Sequence, residues 1–558
     1  MRTLAKKLSC FLFAVLLIFS VGACSNKPSG TEEAPPGKLD ESDFDASKSQ
    51  LYVSNFDGGF GTNWLYAAIA RFMEDYKDYS FEEGKKGVQV FVETHKGTAA
   101  DMANQINEVF FLENINYYDR LSKGELYDIT EVVTTPLTEF GETKSIADKM
   151  YADYKDYFLT GNGKYYALPH YQRYSAITYD VDIFDNKNLF FDEEGELTKK
   201  STDTGRSKGP DNKAGTYDDG LPATYEQFYK LCDTMGVRGV DPITWSGQYA
   251  MYTTWQVASM KADFEGPNET KLFYAFDSEK YGDAKKLIDT IDSNGNITYK
   301  APTTITKNNG YEMYNSAGIY YAIDFLNTLV NKGYATSSSY NGTTSHVGAQ
   351  ANFLMSRDTA TRPIGMLIEG NYWVNESDTT FEKLESRYGS SRSLQERRLA
   401  LMPYPKATED QLGDPLTLLD HAYSLACINA KIDAKKVELA TTFLRYLHTD
   451  ESLAEYIKVS HTTKPFDFED SDILDDLYNS LDPYTKSELT LIQNGTTVLP
   501  QDSSEFFYKN YNAFKFDMAF QTNQYTSPVT IARAGMSARE AFSQIRTRYD
   551  QAKWNALL

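Results

Sequence analysis

Aromatic side chains close to polar ones are the residues of this sequence best suited to recognise a ligand. Aromatic residues make up 14% of the chain, and 41 of its residues are Tyr. Trp64 follows a glycine-containing loop, whereas Trp245 and Trp255 enclose Tyr249 and Tyr252. A sugar ring has flat apolar faces that stack on such side chains. Trp64, Trp245 and Trp255 are therefore candidate stacking residues, with packing inside a hydrophobic core as the alternative for each.

Four polar residues are candidates for hydrogen bonds to the same ligand. Asn55 and Asp57 lie on a glycine loop before a predicted helix, where backbone N–H groups are also available. Glu369 follows a predicted strand and is placed to accept hydrogen bonds from hydroxyl groups, with helix capping or solvent exposure as the alternative. Arg173 either contacts the ligand or pairs with an acidic neighbour.

An oxygen-rich loop at 209–220 suggests a structural calcium site. Asp211, Asn212, Asp218 and Asp219 supply the hard oxygen ligands that Ca²⁺ prefers, and glycines permit the turn that would gather them. The loop departs from the EF-hand pattern, because Lys and Gly occupy two of the expected ligand positions. An ordinary solvated loop is the alternative, since Asp, Asn, Gly and Pro are also common turn residues. No other cofactor is expected.

Motifs of the common enzyme classes are missing from the sequence. It has neither a nucleophile elbow, nor a His-Glu-x-x-His zinc motif, nor a P-loop, and it contains only six His. Hydrolysis of a glycosidic bond requires two carboxylates on either side of that bond. Although the chain has 78 acidic residues, none lies in a recognisable motif. We expect a binding protein, and a secreted glycoside hydrolase or a surface glycan-adhesion module remains the alternative.

The N-terminus predicts secretion and lipid attachment. Basic residues precede an apolar run at 8–21, which is typical of a signal peptide. The run ends in Val21-Gly22-Ala23-Cys24, which resembles a bacterial lipobox. We therefore predict a signal peptide over 1–23, acylation of Cys24, and a flexible Pro- and Ser-rich tether over 24–48. An ordinary signal peptide with an incidental Cys is the alternative.

Charge and cysteine content limit the partners. With 56 Lys and Arg against 78 Asp and Glu, the net charge of −22 opposes binding to nucleic acid or to an anionic membrane surface. Contact with the membrane is therefore expected through the lipid alone. After Cys24, only Cys232 and Cys427 remain, which is too few for a disulfide scaffold. The chain is long enough for more than one folded lobe.

The hydrophobic pattern predicts an α/β fold. A strand at Leu51–Ser54, a glycine loop, a helix capped by Thr62 and a strand at Val88–Val92 form a βαβ unit with parallel strands. A Ser537-x-x-Glu540 capping box begins a terminal helix that includes Tyr549. Further elements are predicted as strands at Val109–Leu112, Tyr165–Leu168, Ala176–Tyr179 and Ile364–Ile368 and as helices at Ala322–Val330 and Val437–Leu447.

Several blocks in the same order resemble the family-1 extracellular solute-binding proteins of ABC importers, which include the maltose-binding protein. The resemblance extends over nearly all of the predicted mature chain. The blocks are Tyr52-Val53-Ser54-Asn55 with Gly58-Gly59 and Trp64-Leu65; Asn107 to Phe111; Lys164 to Pro169; Ile177 to Asp180; Gly365 to Trp373; Leu401 to Pro405; and Glu438-Leu439-Ala440 with Phe443-Leu444.

The resemblance implies two α/β lobes of the periplasmic-binding-protein fold, with a ligand cleft between them. The chain would cross between lobes near Tyr171–Ser175, His421–Leu425 and Leu499–Ser503. Lobe 1 would then comprise 49–172 and 425–499, and lobe 2 would comprise 173–424 and 500–558.

The same resemblance implies what the chain binds and where. Tyr372 and above all Trp373 would supply a stacking aromatic ring to the cleft. The ligand would be a carbohydrate, and an oligosaccharide in particular. The partner would be an ABC permease, and the protein would act as an extracytoplasmic monomer anchored to the cell membrane.

Overall fold

The computed structural model describes residues 35–95, 102–292, 295–421 and 423–558. The predicted signal peptide, Cys24 and the first part of the predicted tether lie outside these residues. The last part of that tether is attached to the fold: the Gln89 side chain donates to the Asp43 carbonyl at 2.5 Å and accepts from the Asp45 amide at 2.7 Å. The prediction of a free tether is therefore wrong for this part of 24–48.

Five of the six predicted strands are among the fourteen strands of the described residues, and the exception is described below. In chain order they are β1 (Ser49–Phe56), β2 (Val88–His95), β3 (Val109–Leu112), β4 (Ser175–Asp180), β5 (Phe190–Phe191), β6 (Leu197–Lys199), β7 (Asp241–Thr244), β8 (Ile288–Ile291), β9 (Ile297–Tyr299), β10 (Ile364–Gly370), β11 (Leu399–Met402), β12 (Leu416–Leu419), β13 (Leu425–Ile428) and β14 (Gly495–Val498).

Helices cover the faces of the sheets. Those of seven residues or more are Asn63–Asp75, Ala152–Phe158, Val181–Lys187, Tyr225–Val237, Met251–Glu265, Pro267–Ala275, Ala317–Asn331, His346–Thr359, Asp378–Tyr388, Val437–Tyr446, Asp450–Ser460, Ser471–Ser480, Pro483–Gln493 and Ala538–Arg546. The shorter ones are Tyr117–Ser122, Thr130–Thr134, Ile146–Lys149, Ser278–Tyr281, Ser337–Tyr340, Trp373–Glu376, Glu505–Lys509, Tyr511–Phe514, Pro528–Arg533 and Gln551–Asn555. Within the described part of the chain, every helix is too short or too polar to cross a membrane.

The first sheet has the strand order β13-β3-β1-β2. β1 pairs in parallel with both β2 and β3, and β13 pairs antiparallel with β3. The helix Asn63–Asp75 connects β1 to β2, so the predicted βαβ unit is confirmed. Thr62 is the N-cap residue of this helix, but its side chain makes no capping hydrogen bond.

The second sheet has the strand order β11-β4-β10-β7. β10 pairs in parallel with β7 and antiparallel with β4, and β11 is antiparallel to β4. All residues of β4 and β10 are buried, as expected for central strands covered on both faces. The two sheets belong to two separate hydrophobic cores, which we call the first core and the second core.

The chain passes between the cores where the resemblance places the first two crossings. Tyr171 is buried in the first core and Tyr174 in the second, while Tyr423 is buried in the second and Leu425 in the first. Helix Pro483–Gln493 departs from the expected division. Although we expected 425–499 in lobe 1, this helix packs against β11 and buries Tyr484 in the second core.

Two local predictions are wrong. Tyr165–Leu168 is not a strand, because within it only Leu168 bridges to Ala426. The helix that follows Ser537 ends at Arg546, so Tyr549 lies beyond it, and the short helix Gln551–Asn555 comes after. Ser537 does cap the helix, since its side chain accepts a hydrogen bond from the Glu540 amide at 3.2 Å.

Candidate functional site

The two sheets direct strand ends toward each other. The loop after β1 meets the segment after β10, where Asn375 Nδ2 donates to the Gly59 carbonyl at 2.8 Å. Glu113, which directly follows β3, meets Arg173, which precedes β4. We call this region, where both cores contribute side chains, the junction. Open α/β sheets bind ligands in such positions, beyond the carboxyl ends of their strands.

Arg173 is the centre of the polar contacts at the junction. Its guanidinium forms a buried ion pair with Glu113 and donates to His421 Nδ1 at 3.3 Å and to the His421 carbonyl at 2.9 Å. The guanidinium also lies over the ring of Trp255, and its Cζ is 4.6 Å from the ring centroid. The alternative that Arg173 pairs with an acidic neighbour is therefore confirmed. Arg173 therefore contacts Glu113, His421 and Trp255 at the same time, and these side chains form one connected group.

Aromatic rings surround this pair on both sides. From the first core, Phe60 stacks on Tyr171 at 3.7 Å between ring centroids, and its ring lies 5.0 Å from that of Tyr372. From the second core, Trp255 stacks on His421 at 4.7 Å. Rings of this kind, next to polar groups with fixed geometry, are the usual lining of a sugar site.

A row of rings continues from Trp255 toward the surface. Tyr252 lies 5.1 Å from Trp255, and its ring stacks on His346 at 5.8 Å. Tyr249 follows at 5.5 Å from His346 and is 38% exposed. The junction is therefore connected to solvent by aromatic side chains of the second core.

Two carboxylates at the junction share one amide. Gln350 Nε2 donates to Glu369 at 3.3 Å and to Glu376 at 2.7 Å. Burial raises the pKa of Glu376 to about 7, with a further contribution from the charge of Glu113. Burial also raises the pKa of Glu369 well above its ordinary value, as does the charge of Glu376. Since both carboxylates contact the same amide, they do not lie on opposite sides of a cleft, as glycoside hydrolysis requires.

Trp373 does not offer its ring to the junction. Its side chain is fully buried in the second core, its Nε1 donates to Thr178 Oγ1 at 3.0 Å, and its ring packs against Phe353 and Tyr484. The ring is therefore enclosed by core residues, which contradicts the prediction that Trp373 stacks on a ligand. The neighbouring Tyr372 is the aromatic residue of this segment that reaches the junction.

Two of the other three candidate tryptophans are also core residues. Trp64 is 2% exposed and lies among Phe111, His170 and Tyr456 of the first core. Trp245 is fully buried in the second core. Trp64 and Trp245 therefore pack inside the cores and do not stack on a ligand. Trp255, in contrast, lies at the junction.

Asn55 and Asp57 shape the loop after β1. Asn55 Nδ2 donates to Thr62 Oγ1, which in turn donates to Asp57, both at 3.1 Å. Asn55 Oδ1 is buried and has no hydrogen-bond partner within the described part of the chain. These two side chains therefore hold the loop that brings Gly59 to the junction, and Asn55 keeps one acceptor free.

The Asp-rich loop is held by its own hydrogen bonds. Asp218 accepts from the Asp211 amide at 2.9 Å and from Thr216 Oγ1 at 2.7 Å, and Asp219 accepts from the Gly215 amide at 2.8 Å. Asn212 adopts the left-handed conformation, with φ of 57°. Among the residues that the structure describes, no three acidic, His or Cys side chains are grouped to hold a metal ion. The calcium hypothesis finds no ligand set here and stays a prediction.

Several residues of the junction are not among the candidates predicted from the sequence. Glu113, His421, Gln350, Glu376 and Phe60 were not candidates. One signal was present: Glu113 directly follows a predicted strand of the first sheet, the position at which parallel strands present ligand-binding residues. Gln350 and Glu376 lie on separate helices with β10 between them, so no periodicity within one helix could pair them.

Comparisons with known proteins give matches in structure but not in sequence. No family model matches the sequence, and a comparison with curated proteins finds no match. The structure is similar to a chitin oligosaccharide binding protein, with a TM-score of 0.54, 13% identity, and alignment over 92% of this chain and 100% of that one. The chain has the two-lobed solute-binding-protein fold.

Two further solved structures show the same fold. The SBP RafE in complex with raffinose aligns with a TM-score of 0.52, 11% identity, and coverage of 91% of this chain and 100% of that one. A protein from work on xylan utilization by the thermophilic bacterium Caldanaerobius polysaccharolyticus aligns with a TM-score of 0.52, 12% identity, and coverage of 90% and 100%. In this solute-binding-protein fold, the first and second cores are the cores of the two lobes.

Proposed function

We propose that this chain is a non-enzymatic binding protein that captures a carbohydrate, in particular an oligosaccharide, at the junction between its two lobes. The observation that carries the proposal is the junction itself, where Arg173 and Glu113 are enclosed by Phe60, Tyr372 and Trp255. Flat rings can stack on sugar faces, and the charged groups beside them can bind hydroxyls. The proteins of similar structure include a chitin oligosaccharide binding protein and a raffinose complex, which supports this ligand class.

The proposed binding cycle includes opening and closure of the lobes. Segments near Tyr171–Ser175 and His421–Leu425 connect the two cores, and the chain crosses again between Leu481 and Tyr484. Bending these segments would separate the lobes without unpacking either core. The Asn375–Gly59 hydrogen bond joins the two sides in this structure and would break on opening. A ligand that contacts both lobes is bound fully only in the closed state, so it shifts the population toward closure.

The setting outside the cytoplasm is part of the same proposal. The predicted signal peptide and the lipobox-like sequence that ends at Cys24 support a lipid-anchored, extracytoplasmic protein. An ABC permease is the proposed acceptor of the captured sugar, on the basis of the sequence resemblance. Globomycin, which inhibits processing at lipobox cysteines, should cause an uncleaved precursor to accumulate if Cys24 is acylated, and Cys24→Ser should have the same effect.

A ligand screen tests the function. The mature protein is heated with chito-, xylo-, malto- and raffinose-type saccharides, and hits are titrated by calorimetry. A binding saccharide should raise the melting temperature by mass action. Mass spectrometry of the same mixtures should show intact saccharides. If no saccharide binds, the carbohydrate proposal is wrong, and if the bound saccharide is shortened, the chain is a hydrolase.

A further inference from the structure

Helix Glu505–Lys509 belongs to the second lobe but contacts the first. Phe507 is 1% exposed in the second core, and Phe506 packs against Phe276 of the same core. Tyr508, which follows Phe507, is partly buried and packs against the first core. Consecutive side chains of a helix do not face the same way, so this short helix presents aromatic rings to both cores. Its attachment to the second lobe therefore fixes the position of Tyr508.

The Tyr508 ring stacks on a tyrosine of the first lobe. Its centroid lies 5.6 Å from that of Tyr118, and the two ring planes differ by 11°. Beside the stack, Asn116 Nδ2 donates a hydrogen bond to the Tyr508 carbonyl at 3.3 Å. Tyr118 is 8% exposed, and its hydroxyl donates to the carbonyl of Tyr157 in the first core at 2.7 Å. Each of the stacked rings is therefore held by its own lobe.

This contact lies next to the junction. The segment 113–118 begins at the carboxylate that pairs with Arg173 and ends at Tyr118. Between these ends, the Ile115 amide donates to the carbonyl of Tyr423, which is buried in the second core, at 3.2 Å. Because these contacts follow one another within one short segment of the first lobe, a lobe motion that opens the junction also acts on the stack.

We propose that the stack of Tyr508 on Tyr118, together with the Asn116 hydrogen bond, is a latch that holds the two lobes together before a ligand binds. Rotation of one lobe against the other takes the rings out of their nearly parallel arrangement, because each ring moves with its own core. A stacked aromatic pair contributes free energy beyond that of the area it buries. Since this contribution exists only while the lobes are together, the latch shifts the population toward the closed arrangement.

The latch raises ligand affinity from outside the ligand site. A ligand that needs both lobes binds fully only to closed molecules, so a larger closed fraction in the free protein gives a higher apparent affinity. Tyr508 is therefore a positioning residue, which acts through its contact with Tyr118. This effect on affinity rests on the proposed saccharide binding, whereas the latch itself is testable without any saccharide.

X-ray scattering of the saccharide-free mature protein tests the latch. Tyr508→Ala removes the ring, and we expect a larger radius of gyration than in the wild type, whereas Tyr508→Phe keeps the ring and should restore the wild-type value. Asn116→Asp breaks the hydrogen bond from the other lobe, because an ionised carboxylate cannot donate to the Tyr508 carbonyl. It can still cap helix Tyr117–Ser122 by accepting from the Asp119 amide. This variant leaves no cavity and should also be more open, so the test does not depend on whether Tyr508→Ala folds.

A tyrosine stack within one lobe provides the matched control. Tyr229 is also partly buried, and its ring stacks on Tyr334 at 6.3 Å between centroids, but both residues belong to the second lobe. Tyr229→Ala should therefore lower the melting temperature without changing the radius of gyration. Equal radii of gyration for the wild type, Tyr508→Ala and Asn116→Asp would overturn the latch.

Calorimetry then measures the effect on affinity, with a saccharide identified by the ligand screen as the probe. Tyr508→Ala should bind it about three- to tenfold more weakly than the wild type, and Tyr508→Phe should bind it as the wild type does. Open variants that bind the saccharide as tightly as the wild type would overturn the effect of the latch on affinity. If no saccharide binds, the proposed function fails, and the scattering still decides whether the latch exists.

Discussion

Arg173 and Glu113 form a buried ion pair that ties the segment between the two cores to the end of β3. Their side chains are 6% and 5% exposed, so neither charge is solvated. Charges taken out of water are tolerated only when their partners remain in place. The pair therefore has two roles: it fixes the first connecting segment, and it places a guanidinium against Trp255.

Removal of one partner should be far more costly than loss of a surface pair. Arg173→Met leaves Glu113 buried without its partner and should lower the free energy of unfolding by about 3–5 kcal/mol. Lys164 pairs with Asp128 at the surface, where the two side chains are 48% and 36% exposed, and Lys164→Met should cost about 1 kcal/mol or less. Urea denaturation of both variants measures the difference. Equal costs would show that the Arg173 pair does not hold the junction.

The sheets could be predicted from sequence because their strands are apolar runs of ordinary length. Val109–Leu112 is predicted and observed with the same bounds, and the βαβ unit was recognisable from its glycine loop. Tyr165–Leu168 is also rich in aromatic and apolar residues but lacks a partner strand, because only Leu168 reaches Ala426. Strand formation there depends on a contact more than 250 residues away, which local composition does not record.

The junction could be predicted less well because it depends on which face each side chain takes. Tyr372 and Trp373 are adjacent aromatic residues that follow β10, where a short helix begins at Trp373, and side chains of neighbouring residues on a helix do not face the same way. The structure turns Tyr372 toward Phe60 and Trp373 into the second core. Sequence alone identified the correct segment but favoured the wrong ring. Gln350 and Glu376 meet only through tertiary packing and were out of reach.

Substitution of Trp373 tests its place in the second core. Trp373→Ala should lower the free energy of unfolding by about 3–5 kcal/mol, because it leaves a cavity among Phe353 and Tyr484 and removes the hydrogen bond to Thr178. Trp373→Phe should cost less. Thermal and urea denaturation measure both. A Trp373→Ala protein of normal stability that no longer binds saccharide would instead restore the role that the sequence suggested.

Gly59 tests whether this arrangement of the junction is needed for binding. A Cβ added at Gly59 would overlap the ring of Tyr372 and approach Glu376 Oε1 to 3.0 Å. Gly59→Ala should therefore hold the loop after β1 away from the segment after β10. We expect a larger radius of gyration in X-ray scattering with ligand present, and saccharide binding weakened at least about tenfold. Gly161→Ala is the control, because its added Cβ meets nothing within 4 Å. Unchanged binding in Gly59→Ala would show that the Tyr372 contact is dispensable.

Substitutions in the Asp-rich loop at 209–220 test whether its carboxylates accept hydrogen bonds within the loop or bind a metal ion. Asp218→Ala removes acceptors for the Asp211 amide and Thr216, so it should lower the melting temperature even in chelator. Because both carboxylate oxygens of Asp218 already accept hydrogen bonds, the wild-type loop should show no binding heat and no melting shift on titration with Ca²⁺ after chelator treatment. A calcium-dependent shift that is lost in the Asp218→Ala, Asp219→Ala variant would establish the calcium site after all.

The pH dependence of stability should reveal the buried carboxylates. The pKa of Glu376 is raised from 4.5 to about 7, and Glu369, Glu113, Arg173 and His346 are its charged or titratable neighbours. Because the folded protein holds this proton more tightly than the unfolded chain, the resulting stabilisation is complete below about pH 4.5. It is lost progressively as the pH rises to about 7, and the total is at most about 3 kcal/mol.

Glu376→Gln isolates that contribution from the other groups that titrate in the same range. The amide retains the neutral form's contact with Gln350, so the free energy of unfolding of the variant should fall less steeply between pH 4.5 and 7 than that of the wild type. The exposed Glu226 provides the control, and Glu226→Gln should follow the wild-type curve. Urea denaturation at half-unit pH intervals gives the two slopes. Parallel curves for Glu376→Gln and the wild type would mean that Glu376 ionises in the folded protein as it does in the unfolded chain, and that its contact with Gln350 does not depend on a retained proton.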